Sequence, residues 1–433
     1  MKILLISPAT DTEKRTNKGL MMPQLSLYIL EGLTPPEHEV KIIEEEITDI
    51  DLDEPCDLIG ISCMTANAPH AYELCSEFRK RGKTVVLGGV HPTILPDEAL
   101  EHADSVVIGE AEGVWENLLL DFQNGGLQKK YHNPLPDLGK YVPKDFKKIL
   151  KKRLFNLIPI MTSRGCPYNC DFCCVTNLFG KKIRHVPVEN VVRDIQESGA
   201  RNFMFLDDNI IGHPKYAKAL FRALKPLNIR WVGQASISLL VNDDELIQLA
   251  ADSGCKALFM GIESVSEEQM KTMRKAIKEI DHLESAIRKI KKMGILIHAS
   301  MVFGFDNDRQ ETFKEAVRFL IKNKVSTVSF NVLTPYPGTK VYDEMKACNR
   351  LTTDNWRYYD HNTVVFRPQH MSPLELQICK VKARKEFYKL RSVLKRLTGN
   401  LYSPLIYIAT NFGHMKQVRV EARRIEKLKT ELF

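Results

Sequence analysis

Apolar residues along this chain gather into short dense runs separated by amphipathic stretches, and the pattern occurs twice. In the first part the runs KILLISP, HEVKIIEEE, DLIGISCM, KTVVLGGV and SVVIGE read as strands, and the segments between them carry helical spacing. Nearly continuous apolar strands alternating with helices predict a parallel sheet covered on both faces, a doubly wound α/β domain over 1–125. Residues 126–155 are rich in proline, glycine and lysine and hold no period, so they read as a linker. A second series over 156–340 offers LIPIMTS, RNFMFLDDN, IRWVGQASIS, KALFMGIES, LIHASMVFGF and VSTVSFNVLTPYPGT as strands. PVENVVRDIQESG and HLESAIRKIKKMG are helices among them. Six strand–helix steps predict a partial parallel (β/α)6 barrel, and the remainder, 341–433, reads as a helical, basic region.

Both architectures place ligands beyond the C-terminal ends of their strands. The loops to watch in the first domain are 62–69, 88–96 and 109–113. In the barrel, polar residues gather at the same level: Asp207, Asp208, Ser236, Ser238, Glu263 and 335–339.

Composition changes this picture little. A chain of 433 residues, 44% hydrophobic and 27% charged, is that of a soluble protein with more than one core. The net charge of +8 is mild, and the basic bias of the last third reads as a solvated face; no nucleic-acid partner is expected. The opening run MKILLISPAT is too short for a signal peptide, so a cytoplasmic protein is expected.

The cysteines change it more. TSRGCPYNCDFCC places Cys166, Cys170, Cys173 and Cys174 in one loop, while Cys56, Cys63, Cys75, Cys255, Cys348 and Cys379 are scattered. In a reducing compartment clustered thiols are metal ligands or catalytic groups more often than disulfides. Structural zinc takes four ligands, often two separated C-x-x-C pairs, and no second pair exists here. Three thiolates on one loop suit a 4Fe–4S cluster with one iron left open. Cys174 has the wrong spacing and reads as packing.

The loop SRGCPYNCDFC, directly after the first barrel strand, resembles that of the radical S-adenosylmethionine (SAM) enzymes. The part ahead of the barrel is similar to the cobalamin-binding domain of one large subfamily, and FLDDN (205–209) and MGIES (260–264) look like its second and fourth strand ends. The stretches GFDND, NVLTPYPGT and VVFRPQHMSP are similar to members acting on hopanoid lipids and bacteriochlorophyll side chains. The resemblance implies that Cys166, Cys170 and Cys173 hold the cluster and that SAM binds the fourth iron through its amino and carboxylate groups. An electron, from a donor such as flavodoxin or ferredoxin, then cleaves SAM to methionine and a 5′-deoxyadenosyl radical. Phe172 would give the adenine an apolar neighbour, Ser236 would line the same cofactor site, and Asp207 or Asp208 would accept from the SAM ammonium. Glu263 would accept from ribose hydroxyls. The plainer reading of these carboxylates is helix caps or turn residues. His185, His213 and His298 receive no role, since a lone histidine is usually a hydrogen-bonded structural residue.

The first domain departs from free-standing cobalamin domains in lacking a D-x-H-x-x-G loop; His38, His70, His91 and His102 stand in no such setting. What remains to receive a nucleotide tail is Ser62, Thr65, Gly88, Gly89, His91, Thr93, Gly109 and Glu110, where glycines allow close backbone approach. The alternative is a domain that has lost its cofactor and shields the barrel mouth.

Three functions follow in order. The first is methylation of an unactivated carbon with cobalamin as methyl carrier, on a lipid-like or other small-molecule substrate. The second is radical coupling or cyclisation without methyl transfer. The third is a non-enzymatic metal or RNA-binding module. No second cysteine cluster follows the barrel, so no auxiliary iron–sulfur centre is expected. Finally, the uncharged run LTGNLYSPLIYIATNFGH (397–414) lies between basic flanks. It reads as a core segment under the barrel or as a surface resting on a membrane; it is too polar to span one.

Overall fold

The structure is a computed structural model, and it describes residues 1–10, 22–133, 135–151, 157–240, 243–272 and 279–433. These form two compact units. One comprises Met1–Gly165, Cys174–Met204 and Asn355–Arg357; the other Cys166–Cys173, Phe205–Asp354 and Tyr358–Phe433.

The first unit is built on β1 (Lys2–Ser7), β2 (Glu39–Glu44), β3 (Leu58–Ser62), β4 (Thr84–Gly88), β5 (Ser105–Ile108) and β6 (Lys130–His132). They pair in the order β2-β1-β3-β4-β5-β6, parallel throughout. The order reverses at β1, which opens a crevice beyond the ends of β1 and β3. Alternate residues of one strand serve opposite cores: Leu4 and Ile6 join Phe78 and Ala71 on one face, Ile3 and Leu5 join Trp115 and Leu118 on the other. That two-sided burial is why the strands read as unbroken apolar runs. The expected linker is less plain than its composition. It supplies β6, with Tyr131 buried, and the helix Phe146–Lys151. Both are too short to leave a period in the sequence, and residues 134 and 152–155 of that stretch lie outside the described residues.

All six expected barrel strands form. β7 (Leu157–Ile160) is followed by a two-stranded antiparallel ribbon, β8 (Ser163–Arg164) with β9 (Arg184–His185). Next come β10 (Asn202–Phe205), β11 (Arg230–Ala235), β12 (Cys255–Glu263), β13 (Leu296–Phe303) and β14 (Thr327–Val332). The sheet order β14-β13-β12-β11-β10-β7 makes each strand the neighbour of its predecessor. On β13, Ile297, Ala299, Met301 and Phe303 are buried while His298, Ser300 and Val302 on the other face are only half-buried. This open face is the barrel lumen, and it carries polar rungs: His298 between Thr327 Oγ1 and Ser329 Oγ, both at 2.9 Å, and Asn331 Nδ2 donating to Ser300 Oγ at 3.0 Å.

β14 is a free edge, and an open edge is a hazard unless covered. The C-terminal helices Pro373–Phe387, Leu390–Leu397 and Pro404–Glu431 cover it. The Tyr388 hydroxyl takes the Val328 N–H and donates to the Val328 carbonyl, both at 2.8 Å. Arg396, fully buried, donates to the carbonyls of Val325, Ser326 and Phe387 and lies 3.7 Å over the Phe387 ring. The run 397–414 divides in two. Tyr407 and Asn411 are buried in this seam, whereas Leu401, Leu405, Ile406, Ile408 and Phe412 are exposed, Leu405 to 82%.

Candidate active site

The cysteine loop begins where β8 ends. Gly165 sits at φ 95°, and a Cβ there would come within 2.8 Å of the Lys182 carbonyl, so only glycine makes the turn. Cys166, Cys170, Cys173 and Cys174 are all half-buried. The Cys173 N–H closes a turn onto the Cys170 carbonyl at 3.0 Å, and Cys174 precedes the helix Val175–Phe179, its carbonyl taking the Asn177 and Leu178 N–H groups. Residues of the second unit hold the loop at the C-terminal strand ends. The Tyr168 hydroxyl meets Ser238 Oγ (3.1 Å), which meets Ser236 Oγ (2.8 Å) beyond β11. Phe172 packs edge-on against Phe305 beyond β13, ring centres 6.0 Å apart. The Asp171 carbonyl takes the Val341 N–H, and its carboxylate lies 3.4 Å from Lys340 Nζ. Half-buried thiols on a braced loop are the donor type a 4Fe–4S cluster takes. Among the described residues no three such side chains converge tightly enough for a single metal ion.

The two aspartates separate. Asp207 continues the buried row of Phe203 and Phe205 and is 2% exposed; Asp208 continues the half-buried row of Met204. Burial, with the adjacent Asp207 charge, pushes Asp208 up to about 6. Its carboxylate also acts on Cys166: burial raises that thiol, the Tyr168 N–H lowers it, and Asp208 and Cys170 raise it again. Asp208 and Cys166 are therefore near enough to act on each other's charge. Glu263 ends β12 in a left-handed conformation, φ 62°, where the register with β13 slips between Gly261 and Glu263. A non-glycine residue held there is strained, and such strain collects at functional sites.

Sequence reasoning passed over Asn209. It is 4% exposed; its Oδ1 takes the Ser236 N–H at 3.0 Å, while its Nδ2 has no partner among the described residues. A buried amide donor without a partner costs stability. Its position directly after the two aspartates was the available signal. His213 and His298 are structural, the first capping the helix Pro214–Leu224 and the second hydrogen-bonded between β14 hydroxyls.

In the first unit the eight residues picked from sequence meet at the ends of β3, β4 and β5. Gly89 has φ 100°, and a Cβ would sit 2.6 Å from the Cys63 carbonyl. Thr93 Oγ1 donates to the Gly89 carbonyl (2.7 Å) and takes the Gly109 N–H (2.9 Å), tying the β4 and β5 loops together. Cys63 N–H, directly after Ser62, donates to the Gly88 carbonyl, and His91 lies against Thr65, Nδ1 to Oγ1 3.4 Å. Glu110 is already engaged: its carboxylate bonds both Arg164 and Arg184, the facing pair of β8 and β9. Arg164 also forks onto Glu112 at 2.6 and 3.1 Å. Burial opposes the Glu112 charge, but Arg164 outweighs it and holds the carboxyl below its ordinary range. The loop after β5 is thus fastened to the β8–β9 ribbon. Glu112, Arg164 and Arg184 carried no sequence signal of their own.

Comparison with known proteins agrees with both halves. The chain matches the radical SAM superfamily over residues 160–338 and the B12 binding domain over 24–119. It is 32% identical over 411 residues to the bacteriochlorophyllide d C-12(1)-methyltransferase of Chlorobaculum tepidum, covering 92% of this chain and 90% of that protein. It is 23% identical over 394 residues to the hopanoid C-2 methylase of Rhodopseudomonas palustris, 87% of this chain and 73% of that one. Its fold is that of the radical SAM methyltransferase TsrM from Kitasatospora setae, solved with cobalamin and a 4Fe–4S cluster bound: TM-score 0.72 at 15% identity, over 98% of this chain and 99% of that one. The chain belongs to the cobalamin-dependent radical SAM methyltransferases, enzymes whose cofactors are a 4Fe–4S cluster, SAM and cobalamin.

Proposed function

We propose that this enzyme methylates an unactivated carbon of a large, mostly apolar small molecule, a tetrapyrrole side chain or a polycyclic isoprenoid. The carrying observation is the near-full-length identity to a bacteriochlorophyllide methyltransferase, joined to a thiol loop with Asp208 and a strained Glu263 at the strand ends. When bound, the cluster supplies the electron that cleaves SAM, and cobalamin carries the methyl group. Cys166, Cys170 and Cys173 hold the cluster. Asp208 rather than Asp207 receives the SAM ammonium, because it alone of the two lies on the half-buried lumen row. Asn209 and Ser236 orient polar groups of SAM, Glu263 accepts from its ribose, and Phe172 borders the adenine. Ser62, Thr65, Gly88, Gly89, His91, Thr93 and Gly109 shape the cobalamin site, mainly through backbone and closely fitted turns. Glu110 acts there as a brace. Incubation of reconstituted protein with a reductant, SAM and a tetrapyrrole or hopanoid acceptor tests the reading. S-adenosylhomocysteine and 5′-deoxyadenosine in equal amounts support it; 5′-deoxyadenosine alone would replace methyl transfer with coupling or cyclisation.

We infer in addition that Leu401, Leu405, Ile406, Ile408 and Phe412 rest on an anionic membrane surface. These side chains are exposed together, with Lys395 before them and Lys416 and Arg419 after, a pairing of apolar patch and basic rim that suits acidic head groups. No described helix is long and apolar enough to cross a membrane. The Tyr402 hydroxyl donates to the Ile295 carbonyl just before β13, so the patch lies at the end of the strands opposite the cysteine loop. Co-sedimentation with anionic liposomes should be lost in a Leu405→Glu, Phe412→Glu double variant; equal binding by that variant removes the membrane role.

A further inference from the structure

Residues 355–357 break the order of the chain. Their neighbours on both sides belong to the second unit, yet these three belong to the first. The residue that attaches them is Trp356. Its Nε1–H donates to Glu98 Oε1 at 2.9 Å, and the same oxygen takes the Tyr72 hydroxyl at 2.9 Å and faces His91 Nε2 at 3.2 Å. The Trp356 ring stands edge-on to the His91 imidazole, centres 5.4 Å apart at 63°. Burial opposes the Glu98 charge, but the donors from His91, Tyr72 and Trp356 prevail and hold its carboxyl below the ordinary range.

An ionised Glu98 fixes the rest by elimination. It is acceptor-only, so His91 presents Nε2–H to it, and the other ring nitrogen, Nδ1, faces the Thr65 hydroxyl at 3.4 Å. His91 is fully buried and cannot itself reach a ligand; it transmits orientation from Glu98 to Thr65. The indole differs. Trp356 is half-buried, fixed at its N–H, and set beside the β3 and β4 loops that receive the corrinoid. A tether alone would need only a donor. A half-buried indole adds a flat apolar face, which suits the planar rings of cobalamin.

We propose that Trp356 is a positioning residue of the cobalamin site, one wall of that site supplied from beyond the barrel and oriented by Glu98. The proposal rests on cobalamin occupying the β3–β5 loops as described above. Cobalamin affinity of the full-length, cluster-reconstituted protein tests it, by titration with hydroxocobalamin and absorbance of the desalted complex. Trp356→Ala should raise the Kd about tenfold, the loss of one packed aromatic contact with its hydrogen bond. Trp356→Phe, which keeps a ring but loses the N–H, should fall between that and wild type. Iron content and SAM affinity should not change in either. Wild-type protein that fails to bind hydroxocobalamin overturns the cobalamin reading and this proposal with it. Binding by wild type with an unchanged Kd in Trp356→Ala overturns this proposal alone, as does an equal loss in Arg357→Ala, which would assign the effect to the segment and not the ring. Should Trp356→Ala fold poorly, Trp356→Phe decides on the same scale.

Discussion

The strand ends of the first unit and those of the barrel use their carboxylates in opposite ways. In the first unit Glu98 and Glu112 are held below the ordinary carboxylate range despite burial, because histidine, tyrosine, tryptophan and arginine donors already surround them. At the barrel mouth Asp208 is pushed up to about 6 by burial and by Asp207. The first set has its hydrogen-bond donors inside the protein; the second is held at a disadvantage that a bound cation would relieve. The difference suggests two ways of building a cofactor site. The loops after β3, β4 and β5 are wired to themselves and offer a fixed shape. The barrel mouth keeps half-buried thiols, a raised carboxyl and the Asn209 amide at its strand ends.

The largest effect is expected where the barrel site relies on side chains outright. Cys166→Ala, Cys170→Ala and Cys173→Ala should each lose the cluster, read as iron and sulfide content, and with it SAM cleavage. Cys174→Ala should keep its iron. The reverse pattern, with Cys174 needed and Cys173 dispensable, would break the assignment of ligands within the loop.

Next in size is the brace of the first unit. Glu110→Gln removes the charge shared by two buried guanidinium groups, a loss of about 3 kcal/mol where a buried pair is broken from one side. A clearly lower thermal midpoint should result, with weaker cobalamin binding only as its consequence. An unchanged midpoint with weakened cobalamin binding would instead make Glu110 a direct contact and erase half of the contrast between the two sites.

Much of this was legible before any coordinates. Eleven strands announced themselves because a strand buried on both faces, or on the helix-packed side of a barrel, must be dense in apolar residues. The cysteine spacing pointed to a 4Fe–4S cofactor, and FLDDN fell at the C-terminal end of β10. What stayed hidden depends on long-range pairing. β6 is three residues long and exists because β5 offers it a partner. Arg164 and Arg184 look like ordinary surface charges until the β8–β9 ribbon sets them opposite each other beside Glu110. Glu110 itself, grouped with nucleotide-binding residues on the strength of its loop, is occupied by those arginines. Nothing local to Trp356 points to Glu98, 258 residues away. The choice between Asp207 and Asp208 turned on which row of β10 each continues.

That choice gives a third, smaller test. Asp208, with its folded value raised to about 6 against an ordinary 3.8, costs the folded state stability once ionised, and the cost accrues as pH rises between those values. Asp208→Asn should therefore leave the SAM-free protein as stable or more stable at neutral pH, while weakening SAM about tenfold through loss of a charge-assisted bond. Calorimetric titration reads the second effect and a thermal melt the first. Asp207→Asn should disturb the melt more than SAM. Glu263→Gln should weaken SAM with iron content preserved. If Asp207→Asn weakens SAM more than Asp208→Asn, the lumen row has been assigned to the wrong carboxylate.

The smallest effect comes from Glu98, and its sign is opposite to that of Asp208. A carboxyl whose folded value is depressed contributes stability that is present above its unfolded value and is lost as pH falls through the folded one. Glu98→Gln keeps an acceptor for Trp356 and Tyr72 but removes the charge, so near neutral pH its thermal midpoint should lie below that of wild type. As pH is lowered through the carboxylate range, wild type loses the same contribution by protonation, and the two curves should converge. For Asp208→Asn the curves should instead be closest at low pH, separate in the mutant's favour as pH rises from about 3.8 to about 6, and run parallel above that. Curves for Glu98→Gln that run parallel across the range would mean the Trp356 anchor needs only an acceptor. The first unit's network would then hold without an ionised centre, and Trp356 would owe its orientation to shape alone.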